Sequence, residues 1–190
     1  MADDKKITAG MAAAALVRKG ARLARRQAGH IADLVYPPDI YCICCGRDIQ
    51  PGRLYSMCDD CLSYINWANG KLCASCGKPL EDWYPDMYCS ECINKDRRFD
   101  AGITCFQYKE AERMMIREFK YHGKSYMARN FSEILFDKVV AVDAVCDILV
   151  PVPMFKKKEK KRGYNQAALL AEFTAKRLGM PCCADAIERT

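Results

Sequence analysis

Hydrophobic and polar residues follow two different periods in the C-terminal half of the chain. Residues 100–108 alternate between the two types and are predicted to form a strand. Residues 111–120 carry Met115 and Phe119 four positions apart, which is the spacing of an amphipathic helix. The same four-residue spacing predicts a second helix from about 125 to 140.

A short apolar run after these helices is typical of a buried parallel strand. It covers residues 146–152 and ends in a Pro-Val-Pro sequence. A further helix is predicted over 165–178, where Gly179 and Pro181 stop it. The alternation of strands and helices predicts an α/β fold with a doubly wound sheet. Ligands of such sheets bind beyond the carboxyl ends of the strands, so the predicted ligand site is 151–166.

The composition is that of a folded protein with an uneven distribution of charge. The 190 residues fit one ordinary domain and a small one, and a hydrophobic fraction of 51% is ample for a core. The net charge is +6, and two segments carry most of the excess. Residues 1–30 have seven Lys or Arg against two Asp, and residues 156–162 have six basic residues against Glu159.

The first basic segment, 1–30, predicts a helical N-terminal extension. It is rich in alanine, and Arg18, Arg22 and Arg26 recur every fourth position. Such a basic face is either solvated or contacts nucleic acid or another anionic partner. Its apolar run, 11–17, is followed by arginines instead of a signal-peptide cleavage site and is far too short to span a membrane. We therefore expect a cytoplasmic protein without a transmembrane segment.

The second basic segment lies in the predicted ligand loop. Residues 156–162 concentrate positive charge between the end of a buried strand and the start of the next helix. Gly163 lets the backbone approach a ligand, and the helix N-terminus near Asn165 adds amide donors and a partial positive charge. We expect this loop to hold phosphate groups or nucleic acid, and the alternative is a solvated, flexible loop.

The cysteines form an internal duplication in the N-terminal half. Each copy reads C-x2-C, twelve residues, C-x2-C, and the second copy follows the first at a constant offset of 31 residues. This spacing predicts two structural zinc sites, because each C-x2-C turn supplies two thiolate ligands and a second turn completes the tetrahedron. The eight predicted ligands are Cys42, Cys45, Cys58, Cys61, Cys73, Cys76, Cys89 and Cys92.

Two alternatives concern how these cysteines are used. Disulfides are the first, but the same pattern in an intracellular protein favours metal. The second concerns which C-x2-C turns share a zinc ion. In the sequential arrangement each copy binds one zinc, and in the cross-braced arrangement alternate turns do so. The clean duplication favours the sequential arrangement. Cys44 is left out as a ligand, because its counterpart in the second copy is Ser75.

Five segments of the chain resemble, in order, the motifs of the ComF family. They are residues 33–38 (DLVYPP), 73–80 (CASCGKPL), 119–123 (FKYHG), 150–153 (VPVP) and 162–167 (RGYNQA). The resemblance implies a double zinc ribbon over 31–95, preceded by the extension 1–30, and the first part of a type I phosphoribosyltransferase-like sheet domain over 96–190. Family members are linked with DNA uptake during natural competence in bacteria.

The resemblance also implies which residues approach a phosphate-containing ligand. The candidates are Lys120, Gly123, Pro151, Pro153, Lys156, Lys161, Arg162, Gly163, Tyr164, Asn165 and Gln166. The acidic pair and the Thr-Thr-Gly loop that bind the ribose phosphate in type I phosphoribosyltransferases have no counterpart here. We therefore expect this chain to be a truncated member that does not catalyse transfer, and no catalytic residue is assigned.

Three functions are compatible with the sequence. The main hypothesis is DNA uptake or processing, with single-stranded DNA held by the basic loop and with other proteins of the competence machinery as partners. The second is a phosphoribosyltransferase that uses phosphoribosyl pyrophosphate with Mg²⁺. The third is a zinc-ribbon interaction module anchored by Trp67, Trp83 and Tyr84, although packing over the zinc knuckles is the simpler role for these aromatics. Cys105 and Cys146 are predicted to be small buried hydrophobic residues.

Overall fold

The computed structural model describes residues 39–95 and 97–189. The described residues from Tyr41 onward form one compact unit. The predicted N-terminal helix lies outside the described residues. The division of the chain near residue 95 stays a prediction, because both ribbon copies lie in the same unit as the helices that follow them.

Five α-helices organise the described chain, together with a 3-10 turn at Leu54–Ser56. We label the helices in chain order. They are α1 (Asp59–Tyr64), α2 (Glu110–Tyr121), α3 (Met127–Ala141), α4 (Lys156–Arg162) and α5 (Gln166–Leu178).

Three of these helices lie where the apolar spacing predicts them. Helix α2 begins at Glu110, and the Glu112 side chain accepts a hydrogen bond from the backbone N–H of Lys109, as in a capping box. Helix α5 is capped by Asn165 and ends at Gly179, whose φ of 70° fits the left-handed C-cap that glycine favours. The helix boundaries are therefore local consequences of capping residues.

The predicted strands are reduced to single bridges in the described residues. Within 100–108, only Phe106 pairs, in an antiparallel bridge with Trp67. Within 146–152, Leu149 forms a parallel bridge with Cys182, with hydrogen bonds from Leu149 N to the Pro181 carbonyl and from Cys183 N to the Leu149 carbonyl. The parallel pairing across α4 and α5 is what a strand–helix–strand unit produces, but no extended sheet forms in the part of the chain described here.

The core joins the first ribbon to the helices. Met57 and Ile65 of the ribbon lie in the same buried cluster as Met115, Phe119 and Phe131 of helices α2 and α3. The rings of Phe119 and Phe131 lie 5.3 Å apart, in the range of favourable aromatic pairs. The second ribbon takes no part in this cluster, and its own buried cluster consists of Cys73, Cys89 and Cys92 with Cys76 and Leu80 packed against them.

Several expectations about single residues are corrected by the structure. Cys146 is exposed instead of buried, because within the described chain only Leu149 of its segment pairs with another segment. Trp83 is also exposed and does not pack over a zinc knuckle. Trp67 packs against Tyr55 and Phe106, so it belongs to the core.

Candidate metal centres and the basic segment

Two groups of four cysteines converge in the structure, one in each ribbon copy. Within each group the sulfur atoms lie within 4.8 Å of one another. The first group is Cys42, Cys45, Cys58 and Cys61, and the second is Cys73, Cys76, Cys89 and Cys92. This is the sequential pairing that the duplication favours. Cys44 lies beside the first group but is not a member of it.

The spacing of the sulfur atoms fits a zinc ion. A Zn–S bond of about 2.3 Å in a regular tetrahedron places two sulfur atoms about 3.8 Å apart. The Sγ atoms of Cys45 and Cys58 are 3.8 Å apart, and so are those of Cys76 and Cys89. Four thiolates close the coordination shell, so both clusters are consistent with structural zinc ions instead of catalytic ones.

The local backbone repeats between the two copies along with the cysteines. In the first, Cys42 N donates to the Arg47 carbonyl at 2.8 Å, and in the second, Cys73 N donates to the Lys78 carbonyl at 2.8 Å. Gly46 and Gly77 close the two turns with φ of 75° and 70°. Only glycine adopts this conformation at little cost, which explains why it follows the first C-x2-C sequence of each copy.

An ion pair next to each cluster is also duplicated. Arg47 pairs with Asp60 at 2.7 Å, and Lys78, 31 residues after Arg47, pairs with Glu91 at 3.2 Å. Arg47 additionally donates to the sulfur atoms of Cys45 and Cys58. Sequence reasoning missed these residues, although the offset of 31 residues aligns both members of the two pairs.

Hydrogen bonds favour the thiolate form of at least one cysteine in each cluster. Burial raises the pKa of Cys45, but hydrogen bonds from the Arg47 side chain and backbone outweigh it and lower the pKa to about 6. Burial also raises the pKa of Cys73, but the backbone amides of Cys76, Cys89 and Ser75 lower it to about 6. Since the thiolate is the form that binds metal, both clusters contain a cysteine ready to bind zinc at neutral pH.

The basic segment is a helix, not the predicted loop. Helix α4 consists of Lys156–Arg162 and ends at Gly163, whose φ is 90°. Lys and Arg are good helix formers, and the left-handed glycine gives the helix a defined end. Its lysines are exposed, and Lys156 pairs with Glu188 at 2.7 Å. The helix therefore presents a concentrated positive charge on the surface.

The motif after this helix connects α2 to α5. Tyr164 donates its hydroxyl hydrogen to the Phe119 carbonyl, and Gln166 Nε2 lies 3.4 Å from the Lys120 carbonyl. Both carbonyls belong to the last turn of α2, where the helix itself provides no donor. The motif thus caps the C-terminal end of α2.

The same motif caps the N-terminal end of α5. The Asn165 side chain accepts hydrogen bonds from the backbone amides of Ala167 and Ala168 at 3.0 and 3.3 Å. Arg162 lies over the ring of Tyr121, 4.9 Å from its centroid, and donates to Gln166 Oε1 at 2.6 Å. The amides expected to receive a phosphate group are therefore already engaged by Asn165.

The structure brings together some of the predicted phosphate-site residues. Gln166 of the motif 162–166 contacts the Lys120 carbonyl. Gly123, with φ of 69°, ends the turn after α2. Pro151 is buried and Pro153 half-buried on the segment before α4, and Lys156 and Lys161 are exposed on that helix. In the described part of the chain, no third group of three or more possible metal ligands converges.

The two cysteine clusters are those of a double zinc ribbon domain. The family model of the double zinc ribbon domain matches residues 31–93. Among curated proteins, the chain is 24% identical to Competence protein F of Haemophilus influenzae over 155 residues, which cover 78% of this chain and 65% of that protein.

Two further relatives carry related names. The chain is 28% identical over 130 residues to Competence protein ComFC of Bacillus subtilis, covering 61% of this chain and 50% of that protein. It is 24% identical over 154 residues to DNA utilization protein YhgH of Escherichia coli O157:H7, covering 78% of this chain and 66% of that protein. The chain is thus homologous to these proteins at low identity and spans between half and two thirds of their length.

The remaining comparisons add two findings. No solved structure matches the chain significantly. Among the helices described here, none has both the length and the apolar character that crossing a bilayer requires.

Proposed function

We propose that this protein acts in the uptake or processing of DNA during competence, and that helix α4 binds the phosphate groups of single-stranded DNA in the cytoplasm. Its homologues are named as competence and DNA utilization proteins. The observation that carries the proposal is the cluster of five exposed lysines on one short helix.

The physical basis of this binding is electrostatic. Lys157, Lys158, Lys160 and Lys161 are exposed, and Glu159 is the only acidic residue of the helix. Lysines that neutralise phosphates release condensed counterions, so affinity falls as salt rises. Exposed aromatic residues such as Tyr121 and Tyr126 are available near the end of α2 for stacking with unpaired bases.

The test measures the binding of a fluorescent oligothymidylate to the zinc-loaded chain over a range of salt concentrations. The double variant Lys160→Gln, Lys161→Gln should bind more weakly and reduce the slope of log K against log salt by about 0.7 for each phosphate that a lysine no longer neutralises. The matched control, Lys95→Gln with Lys176→Gln, removes two exposed lysines elsewhere and should leave the slope unchanged. Equal effects of both double variants, or no binding at low salt, would contradict the proposal.

A second candidate function is the binding of phosphoribosyl pyrophosphate for phosphoribosyl transfer. The parallel pairing of Leu149 with Cys182 across α4 and α5 favours the strand–helix–strand order of a doubly wound sheet. The ligand would be phosphoribosyl pyrophosphate with Mg²⁺, an ion that substrate phosphates commonly carry into such sites. Calorimetric titration of phosphoribosyl pyrophosphate with Mg²⁺ into the zinc-loaded chain tests this candidate, and the absence of saturable binding would contradict it.

A further inference from the structure

The first ribbon docks on the helices through a defined set of positions. Ser56 and Met57 are 2% and 1% exposed. Asn130 Nδ2 of α3 donates to Ser56 Oγ at 2.6 Å, and Met57 lies in the core cluster with residues of α2 and α3. Leu62 packs against the same cluster. The surface that these three ribbon residues form is therefore covered by the helices.

The second ribbon leaves the equivalent positions uncovered. The residues 31 positions after Ser56, Met57 and Leu62 are Met87, Tyr88 and Ile93, which are 68%, 46% and 50% exposed. The backbone hydrogen bond that fixes this surface is present in both copies, from Ile43 N to the Ser56 carbonyl at 2.9 Å and from Ala74 N to the Met87 carbonyl at 2.8 Å. We call Met87, Tyr88 and Ile93 the second-ribbon face.

An aromatic residue in the same ribbon adds to the exposed apolar surface. Trp83 is 78% exposed, and its ring lies 6.3 Å from that of Tyr84. The backbone of this loop is held by a hydrogen bond from Lys71 Nζ to the Tyr84 carbonyl and by one from Tyr84 N to the Glu81 carbonyl. The tryptophan is therefore presented on an ordered loop, as interface anchors commonly are.

The charge of the second ribbon is opposite to that of the whole chain. Residues 71–93 contain two lysines against four carboxylates, whereas the chain as a whole has a net charge of +6. One of these lysines, Lys78, is paired with Glu91. A zinc ion bound by four thiolates adds a further net charge of about −2. Arg97 hydrogen-bonds Cys92 and lies close to Glu91. The part of this ribbon that would attract cationic side chains is therefore the loop with the exposed carboxylates Glu81, Asp82 and Asp86.

We propose that the second-ribbon face and Trp83 dock an amphipathic helix of a partner protein, with Lys or Arg residues flanking the apolar side of that helix. A helix is the expected occupant because the equivalent surface of the first ribbon is covered by helices. The flanking cations would lie near Glu81, Asp82 and Asp86, or over the exposed indole. The proposal is independent of DNA binding by α4.

The test uses designed peptides as probes on the full, zinc-loaded chain. The first peptide is an amphipathic helix of about 18 residues, roughly five turns, with leucines on one side and lysines on the other. The second replaces every lysine by glutamate, and the third scrambles the first so that it keeps its charge but loses the apolar side. Calorimetry at about 0.15 M salt should show saturable binding of the first peptide, with at least about tenfold weaker binding of the other two.

Matched surface variants locate the binding. The double variant Trp83→Ser, Met87→Ser should raise the Kd of the first peptide at least about tenfold. Tyr64→Ser, which removes an exposed aromatic side chain of the first ribbon, is the control and should leave the Kd unchanged. Two bound zinc ions in each variant verify that the ribbons are folded.

Three outcomes would overturn the proposal. The first is equal binding of the scrambled peptide, which would make the attraction purely electrostatic. The second is a Kd unaffected by the Trp83 and Met87 substitutions. The third is a zinc-loaded chain that dimerises in sedimentation experiments and becomes monomeric in the double variant, because the face would then bind a second copy of this chain instead of a partner helix.

Discussion

At the scale of single residues, the two ribbon copies differ in how closely the backbone packs. The turn at Gly77 lies against another glycine, and a Cβ at Gly77 would fall well inside van der Waals contact with the Gly102 carbonyl. Gly102 N also donates to the Ser75 carbonyl at 2.7 Å. Gly46, the counterpart in the first ribbon, has no atom within 4 Å of the same position. The second turn therefore needs glycine for its positive φ and for this close packing, whereas the first needs it only for its positive φ.

This difference predicts unequal effects of the same substitution. Gly46→Ala should cost about 1–2 kcal/mol, because alanine is strained in the left-handed conformation. Gly77→Ala should cost a further ~1–3 kcal/mol from overpacking and should loosen one zinc ion. Urea denaturation of the zinc-loaded variants, with zinc release followed by a coloured chelator, measures both effects. Equal destabilisation of the two variants would show that packing against Gly102 does not constrain the turn.

A buried carboxylate provides a second test at this scale. Glu112 is buried, and its Oε1 accepts hydrogen bonds from the backbone and side-chain amides of Asn66 at 2.6 and 3.1 Å. Burial raises the pKa of Glu112, but these hydrogen bonds and the one from Lys109 N lower it below its ordinary value. The stability that this shift contributes is present above the unfolded-state pKa of about 4.3 and is lost as the pH falls through the lower, folded-state pKa.

The Glu112→Gln variant should therefore be less stable near neutral pH by about 1–3 kcal/mol. The difference from the wild type should shrink as the pH falls from the ordinary carboxyl pKa of about 4.3 through the lowered pKa of folded Glu112, because the wild-type carboxylate then becomes protonated. Glu110→Gln, an exposed substitution in the same helical turn, is the control and should show neither effect. Thermal unfolding of the three proteins between about pH 3 and 7 measures the differences in stability. A difference that does not change with pH would exclude the ionised carboxylate as the cause.

At the scale of elements, the motif 162–166 caps two helices and connects them. Tyr164 and Gln166 cap the end of α2, and Asn165 caps the start of α5. The ring of Phe119 lies 5.9 Å from that of Tyr164, so the motif also packs against the core. The presence of this motif in the chain is thus explained by helix capping, independently of any ligand.

The capping role predicts a specific pair of variants. Asn165→Ala removes the acceptor for two backbone amides and should cost about 1 kcal/mol of stability. Asn165→Asp keeps a side-chain acceptor and adds a negative charge near the helix N-terminus, so its stability should equal or exceed that of the wild type. Chemical denaturation measures both. A loss of stability in the aspartate variant as large as in the alanine variant would mean that the side chain does not act as an N-cap.

At the scale of the whole molecule, the two ribbons are stabilised in different ways. The first shares a hydrophobic cluster with α2 and α3, and Tyr55 donates a hydrogen bond to Asp137 of α3 at 2.7 Å. The buried cluster of the second is almost entirely cysteine. Metal binding must therefore supply most of the folding free energy of the second ribbon and a smaller share of that of the first.

Chelation should consequently unfold the molecule in an ordered way. The purified chain should contain two zinc ions, and a chelator added to the reduced protein should cause the second ribbon to lose amide protection from hydrogen exchange first. The amides of α3 should retain protection longest, because their cluster contains Met115, Phe119 and Phe131 in addition to the zinc ligands Cys42 and Cys61. Hydrogen-exchange mass spectrometry during a chelator titration measures this order. Simultaneous loss of protection in both ribbons and α3 would show that the zinc ions hold the whole unit together.

Local features of the sequence were sufficient to predict three of the five described helices and to propose the metal ligands. Helix α5 begins after Asn165 and ends at Gly179, and the conformational preferences of both residues act within one turn. The strands were predicted less well, because a run such as 146–152 becomes a strand only where other strands pair with it, and here only Leu149 does so. Helix α4 was interpreted as a loop because its charge was given more weight than the helix propensity of lysine and arginine.

The sequence by itself determined where two zinc ions would fit, since each C-x2-C turn is local and its duplication is visible at a fixed offset. Only the tertiary structure decided that one copy buries its apolar positions while the other exposes them. Met57 and Tyr88 are counterparts in sequence, yet Met57 is covered by helices and Tyr88 is exposed. Burial depends on which distant segments pack against a residue, and a local pattern does not contain that information.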